Sequence, residues 1–264
     1  MLILIKGAGD LASGIACCLI RAGHQVVMTE IGCPTVVRRT VSFAVAVEQG
    51  SARVEDIEGR LAAGPEQALA WARQGLAAVL VDPETACLKV LNPPVLVDAV
   101  IAKYNTGTHK HDAPLVIAIG PGFVAGKDCH AVIESQRGPC LGQVLWSGSA
   151  EPNSGVPGEV MGYAAERIIR APDSGEFIPL AAIGDLVAAG QPVGRVGDQV
   201  VKAGLTGMVR GMLAPGTPVT KGLKSGDIDP RIQPRLCYHI SDKAQAIGRG
   251  VLQVIATFGG TDHD

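Results

Sequence analysis

The chain opens on an apolar run, Leu2–Ile5, and breaks at Gly7. A run of that length bounded by a turn signal predicts a short buried strand. Leu11, Ile15, Cys18, Leu19 and Ala22 then recur at helical spacing, and Gly23 suits the helix end. Apolar runs at Gln25–Thr29, Ala77–Val81, Val95–Val100 and Leu115–Ile119 predict further strands. A helix is expected over Glu66–Gln74, and Val41–Val47 reads as a short strand. Near-continuous apolar strands separated by helical stretches suggest a parallel sheet covered on both faces. The expected class is α/β, with a Rossmann-like parallel sheet.

After about Glu134 the pattern changes to Gly, Pro and short Val-containing runs, with a helical interruption near Tyr163–Ile169. Recurrent turn signals there predict a small β domain. Two stretches, Gly184-Asp185-Leu186-Val187-Ala188-Ala189-Gly190 and Gly216-Thr217-Pro218-Val219-Thr220-Lys221-Gly222, echo one another as G-x-x-V-x-x-G. Such an echo resembles the barrel-sandwich hybrid of lipoyl- and biotinyl-type domains. The lysine between the echoes, Lys202, lacks the flanking residues of a swinging-arm carrier. From Ser241, a plausible N-cap, a helix reaches about Phe258 with Ile247, Val251, Val254 and Ile255 on one face. The expected organisation is an α/β domain over 1–135, completed by 236–264, with 136–235 inserted as the β domain.

Composition narrows the classes. Apolar residues make up 47% of the chain and exclude disorder, while a net charge of -2 gives no reason to expect nucleic acid or an anionic membrane as partner. No apolar run approaches the roughly 20 residues needed to span a bilayer. Seven cysteines without a CxxC pair argue against structural zinc and against a disulfide framework, and point to a reducing cytoplasm. His109-Lys110-His111-Asp112 reads as a solvated loop, so no metal is expected.

The chemistry concentrates in glycine turns. Gly7-Ala8-Gly9-Asp10-Leu11-Ala12 has the form G-x-G-x-x-A between a strand and a helix. Gly7 permits the tight turn, Gly9 close backbone approach to a pyrophosphate, and Ala12 close helix–strand packing, with the helix N-terminus favouring phosphate. Glu30 ends the second strand at about the 20-residue distance of a ribose-binding acid. A nucleotide-free core of the same shape stays open, since Asp10 opposes phosphate. Arg38 and Arg39 are candidate phosphate clamps, or else an exposed ion pair. A second turn, Gly120-Pro121-Gly122-Phe123-Val124-Ala125-Gly126, leads to Asp128, His130 and Arg137. His130 is a candidate acid or base, or a hinge histidine. Cys140 is a candidate reactive thiol if Arg137 lies beside it.

With these blocks in order, the chain resembles a specific family, the YqeB-type accessory proteins of selenium-dependent molybdenum hydroxylase systems. The resemblance runs through Ile5–Gly14, Met28–Ile31, Val37–Phe43, Val97–Lys103, Gly120–Asp128, Gly155–Gly158, Gly226–Arg231 and Ile240–Lys243. It implies a cytoplasmic protein that helps mature or supply the molybdenum–selenium centre of a hydroxylase. In its first part the family is similar to the maturation factors of xanthine dehydrogenase. The chain departs from the family's pattern at Arg137-Gly138-Pro139-Cys140, where a histidine is expected after the Arg-Gly pair. The expected ligand is NAD(P) or a molybdopterin-type cofactor, and the expected partner a selenium-dependent molybdenum hydroxylase, with homo-oligomers allowed for. Two alternatives stay open: an NAD(P)-dependent oxidoreductase, and a non-catalytic scaffold that docks on the hydroxylase.

Overall fold

The structure is a computed structural model and describes residues 1–259. It divides into two compact units. The first comprises Met1–Pro34, Ser42–Ser154 and the chain from Ile240, and the second Thr35–Val41 with Gly155–His239. The β unit thus begins nineteen residues later than the pattern predicts and takes in the segment bearing Arg38 and Arg39.

In the first unit the elements are β1 (Leu2–Lys6), α1 (Asp10–Arg21), β2 (Gln25–Glu30), α2 (Ala46–Gln49), β3 (Ser51–Val54), β4 (Ile57–Leu61) and α3 (Pro65–Ala72). They continue with β5 (Ala77–Val81), α4 (Leu88–Leu91), β6 (Val95–Asp98), β7 (Leu115–Ile119), β8 (Ala131–Ile133) and β9 (Val144–Leu145). The second unit holds β10 (Ile168–Arg170), β11 (Gly175–Pro179), β12 (Leu186–Val187), β13 (Pro192–Val196) and β14 (Gln199–Lys202). It ends with β15 (Gly207–Met212), β16 (Thr217–Val219), β17 (Lys224–Asp229) and α5 (Arg235–Tyr238), after which α6 (Asp242–Gly259) returns to the first unit.

The first unit is built on a nine-stranded sheet in the order β3-β4-β5-β2-β1-β6-β7-β8-β9. From β4 to β8 neighbouring strands are parallel, but β3 pairs antiparallel with β4 and β9 antiparallel with β8. Leu4, Val27, Ala78, Leu96, Val116 and Val132 bury one face with Ala68 and Ala72 of α3 and with Leu88 and Leu91 of α4. On α1 and α6, Ile15, Leu19, Ile247 and Val251 are fully buried. A fully buried side chain of that size contributes about 1.5–3 kcal/mol.

The two long helices are held together by missing side chains. An ideal Cβ on Gly14 would lie 2.5 Å from Ala244 Cβ and 2.7 Å from Ile240 Cγ2, and one on Gly248 would lie 2.6 Å from Cys18 Sγ. The pairings 14 with 244 and 18 with 248 advance together, so α1 and α6 run parallel and their N-termini lie side by side.

Two expectations are corrected. The sheet is mixed rather than a Rossmann-like parallel sheet, with antiparallel hairpins at both edges. The second unit is two four-stranded antiparallel sheets, β10-β17-β15-β12 and β14-β13-β11-β16, rather than a barrel-sandwich insert within a Rossmann-like core. The edge hairpin was hidden because Ser51–Val54 and Ile57–Leu61 carry Arg53, Glu58 and Arg60 and half-exposed positions, not a continuous apolar run. The echoing stretches supply β12 and β16, which belong to different sheets. Nor is Val41–Val47 a strand. It forms 3-10 turns at Arg39–Val41 and Phe43–Val45 and then α2, because Ser42 Oγ accepts from Ala44 N and so caps the second turn. The helical stretch expected near Tyr163–Ile169 reduces to a 3-10 turn at Ala165–Arg167.

Candidate functional site

In a parallel sheet the carboxyl ends of the strands share one edge, and ligands of open α/β sheets bind there. In the first unit that edge gathers the Gly7 turn after β1, Glu30 at the end of β2, Asp98 at the end of β6, Gly120 after β7 and Glu134 after β8.

Gly7 is required by the backbone: its φ is +98°, and a Cβ would lie 3.1 Å from the Ala99 carbonyl oxygen. The turn is then pinned through one carbonyl. Ala8 O accepts from Ser13 Oγ at 3.0 Å, Ser42 Oγ at 2.8 Å and Ala44 N at 2.9 Å, while Ser13 Oγ accepts from Phe43 N at 2.8 Å. On the other side Ala8 N donates to Glu30 Oε2 at 2.9 Å, and Ile31 N donates to Glu30 Oε1 at 2.8 Å. The Glu30 carboxylate is thereby fixed beside the turn.

Gly9 differs. It has an ordinary φ of -64°, and nothing stands within 4 Å of where its Cβ would be. No side chain caps α1, which starts at the next residue. Ala12 is buried in the packing of α1, and Leu11 is half-buried. The residue at position 9 is small where the protein itself leaves room for a larger one.

The second turn lies on the same edge but is structural at its close approaches. Gly120 has φ +76° and abuts Ser135, and Gly122 has φ +105°, with a Cβ that would fall 2.6 Å from Tyr104 Cα. Pro121 is half-buried, and Phe123 is 4% exposed and part of the core. Asp128 Oδ2 accepts from Val124 N at 2.8 Å and closes a local turn. From there the chain descends to the opposite edge. His130 precedes β8, opposite the start of β7: its Nδ1 accepts from Val116 N at 2.9 Å, and its own N–H donates to Val116 O at 2.8 Å. The candidate acid–base residue and the Gly7 turn therefore sit at opposite ends of the strands.

Arg38 and Arg39 lie in the second unit, where Arg38 is buried and its Nη2 donates to the carbonyls of Leu236 at 3.1 Å and His239 at 3.0 Å. Arg39 opens a 3-10 turn and is half-buried. Arg137 makes a bidentate pair with Asp242, at 2.7 and 2.9 Å.

The carboxyl edge also holds residues that motif reading overlooks. Lys6 is nearly buried, and its Nζ donates to Thr106 O at 3.2 Å and Thr108 Oγ1 at 3.3 Å and lies 3.9 Å from Asp98 Oδ2. Thr108 Oγ1 in turn donates to Asp98 Oδ2 at 2.6 Å. These contacts tie the β6–β7 connection, residues 99–114 without helix or strand, back to the central strands. The signal was a lone polar residue closing each apolar run, in Leu2-Ile3-Leu4-Ile5-Lys6 and Val95-Leu96-Val97-Asp98. Lys243, in the first turn of α6, is half-buried. Burial, then Arg137, push its ammonium below the usual lysine range, while Asp10, Glu134 and Asp242 oppose that shift. Among the described residues no group of three His, Cys, Asp or Glu is placed to hold a metal ion.

The cysteines separate by exposure. Cys33 and Cys140 are exposed, whereas burial pushes the thiols of Cys17, Cys87 and Cys129 up to about 12. A thiol reagent at neutral pH is expected to label Cys33 and Cys140 in the folded protein and those three only after unfolding. Labelling of Cys17 at the rate of Cys140 in the native state would refute this order.

No family model matches the chain. It is 49% identical over 254 residues to YqeB of Escherichia coli strain K12, an alignment covering 96% of this chain and 47% of that protein. The chain thus spans about half the length of this relative. Among solved structures it aligns with a succinylglutamate desuccinylase/aspartoacylase from Rhodobacter sphaeroides, at 14% identity and a TM-score of 0.28 over 86% of this chain and 84% of that one. An aspartoacylase family protein from Mesorhizobium loti aligns at 11% identity and a TM-score of 0.27, over 86% and 83%. Among the described residues no helix is long and apolar enough to cross a membrane.

Proposed function

Taking the membership of the YqeB family that this likeness supports as the premise, we propose that the chain is a cytoplasmic accessory protein in the maturation of a selenium-dependent molybdenum hydroxylase. In this reading it binds a phosphate-bearing ligand, a nucleotide or a molybdopterin-type cofactor, over the Gly7–Ala12 turn, and delivers it to the hydroxylase as partner. One observation carries the binding claim. Gly9 is the N-cap of α1 with neither a positive φ nor a crowded Cβ, so the protein's own helix would be served as well by Ser, Thr, Asp or Asn there. A ligand that needs close backbone approach is a reason for glycine.

The residues present fit such a group. The Gly9 backbone and the uncapped first turn of α1 would take the phosphate, aided by the partial positive charge of the helix start. Glu30 would accept from a hydroxyl pair. A molybdopterin-type group supplies the metal-binding dithiolene chemistry, and these residues would hold and orient its phosphate end.

The position of Glu30 favours a second reading, an NAD(P)-dependent enzyme, because its carboxylate stands 2.9 Å from the turn's own amide. Calorimetric titration with NADH, NADPH and a molybdopterin dinucleotide separates the two. Gly9→Val is expected to weaken binding of the true ligand by at least about tenfold, while stability falls only by the ~1 kcal/mol of a poorer N-cap on α1. The proposal fails if none of these ligands binds, or if Gly9→Val binds as tightly as the wild type. Molybdenum or selenium retained on anaerobically purified protein favours the maturation role, and a response to NADH or NADPH alone favours the enzyme.

A further inference from the structure

At the amino ends of β7 and β8, away from the glycine turn, two connecting segments are fastened to each other and to the sheet. Lys110 Nζ, on the β6–β7 connection, donates to Gly126 O at 3.3 Å on the β7–β8 connection. Between them stands His130. Its ring takes the Val116 N–H as acceptor through Nδ1, which demands an unprotonated Nδ1 and a neutral ring carrying its proton on Nε2. The imidazole thus replaces a strand neighbour at the start of β7.

The same segments border the carboxyl edge at their other ends. The β6–β7 connection carries Thr106 and Thr108, which hold Lys6 and Asp98, and its Tyr104 backbone packs against Gly122 of the β7–β8 connection. Ile101 and Lys103, with φ of +60° and +70°, are held in left-handed conformations unfavourable to side chains of their type. A segment without helix or strand, strained and fastened at a few polar points, is one that opens locally below the global unfolding free energy.

We propose that His130 is an acid-sensitive clasp: its protonation releases the 109–112 and 124–130 segments from the amino ends of β7 and β8, and so loosens the connections whose other ends flank the glycine-turn edge. The step is simple in its accounting. Solvent supplies one proton to Nδ1, the Val116 N–H loses its acceptor, and an imidazolium stands facing Lys110 and His111, the charged or titratable groups that bear on the ring from the β6–β7 connection. Asp128, on the ring's own segment, has an oxygen engaged by Val124 N. The inference stands apart from the identity of any ligand.

The direction follows from the environment. Burial, then Lys110, lower the His130 ring below its ordinary 6.5, the Val116 bond raises it, and His111 lowers it further. The closed clasp favours the neutral ring. It is complete above the ordinary histidine value and is lost as pH falls below it.

Amide hydrogen exchange of the full chain, expressed as protection factors at about pH 8 and about pH 5, tests the proposal. Protection of Val116 and of segments 109–112 and 124–130 is expected to fall at least about tenfold at the lower pH, while β1 and β2 keep theirs. His130→Asn places an uncharged acceptor oxygen where Nδ1 stands and is expected to keep these segments protected at both values. Unchanged protection in the wild type, or an equal loss in His130→Asn, overturns the proposal. Should His130→Asn fail to fold, the wild-type ring nitrogens decide by NMR. An unprotonated Nδ1 at the higher pH, titrating together with the opening, supports the clasp, and a ring protonated at Nδ1 at the higher pH refutes it.

Discussion

Asp227→Ala is expected to destabilise the second unit by about 3–5 kcal/mol. Asp227 is 4% exposed on β17 and accepts two bonds from Arg167 Nη2, at 2.9 and 3.2 Å. Arg167 is as buried, and its Nε and Nη1 donate to Ile228 O at 3.2 Å and Gly158 O at 2.9 Å. Arg210 stands 3.6 Å from Asp227 and 3.9 Å from Asp229, which also pairs with Arg231 at 2.6 Å. Three guanidinium groups thus share two carboxylates. Removing one carboxylate leaves Arg167 charged and uncompensated in a place where water cannot solvate it. A urea titration followed by a probe in residues 155–239 should show the midpoint move sharply down. The paired change Arg167→Met with Asp227→Leu should recover much of the loss, because desolvation of both charges disappears with them. A midpoint within about 0.5 kcal/mol of wild type for Asp227→Ala would show that the pair is solvated in solution.

Acid should weaken the same network. Burial raises the Asp229 carboxyl, but the Arg231 side chain and backbone bonds and the charges of Arg231 and Arg210 outweigh it, so the group lies below the usual carboxylate range. Its contribution is present above the unfolded-state value and is lost as pH falls through the folded one.

Gly14→Val is expected to cost the first unit about 1–3 kcal/mol, and to do so by crowding alone. Position 14 is in the interior of α1, where valine has a better helix propensity than glycine, so propensity contributes no loss. The Cβ, however, falls 2.5 Å from Ala244 Cβ and 2.7 Å from Ile240 Cγ2, both buried and without room to retreat. Gly9→Ser, five residues earlier, is the matched control: nothing lies within 4 Å of its Cβ, serine is a favoured N-cap for α1, and the melting temperature should hold. Equal melting temperatures for Gly14→Val and wild type would mean that α6 shifts freely over α1. The clash acts where the two helix starts adjoin, so Gly14→Val should also disturb Lys243 and the Arg137–Asp242 pair in the first turn of α6.

How much of this was legible in sequence depends on the kind of signal. The strands Leu2–Lys6, Gln25–Glu30, Ala77–Val81 and Leu115–Ile119 announce themselves as apolar runs because both faces of a central strand are covered. Edge strands do not: Ser51–Val54 and Val144–Leu145 are short and partly exposed, and the mixed character of the sheet was lost with them. Gly7 and Gly9 look alike in a motif, yet one is needed for its φ and the other stands at an N-cap that Ser, Thr, Asp or Asn would fill as well. Only the space around a Cβ distinguishes them. His130 was singled out because histidines titrate near neutrality, but sequence could not show that it lies at the amino end of β7 with Nδ1 already engaged. Lys6, Asp98 and Thr108 escaped notice because their partnership spans about a hundred residues and follows no spacing rule.

The parallel seating of α6 on α1 has a consequence for how the protein is made. As the chain leaves the ribosome, the face of α1 bearing Gly14 and Cys18 emerges before its covering partner, α6, with everything from β2 to α5 translated in between. At about 5–20 residues per second, that interval is on the order of ten seconds or more. The 155–239 region can meanwhile complete both of its sheets, so it should acquire protease resistance on stalled nascent chains before the unit that α6 completes. A chaperone that shields apolar helices should find its target on the Gly14 and Cys18 face of α1 in such chains and lose it once α6 arrives.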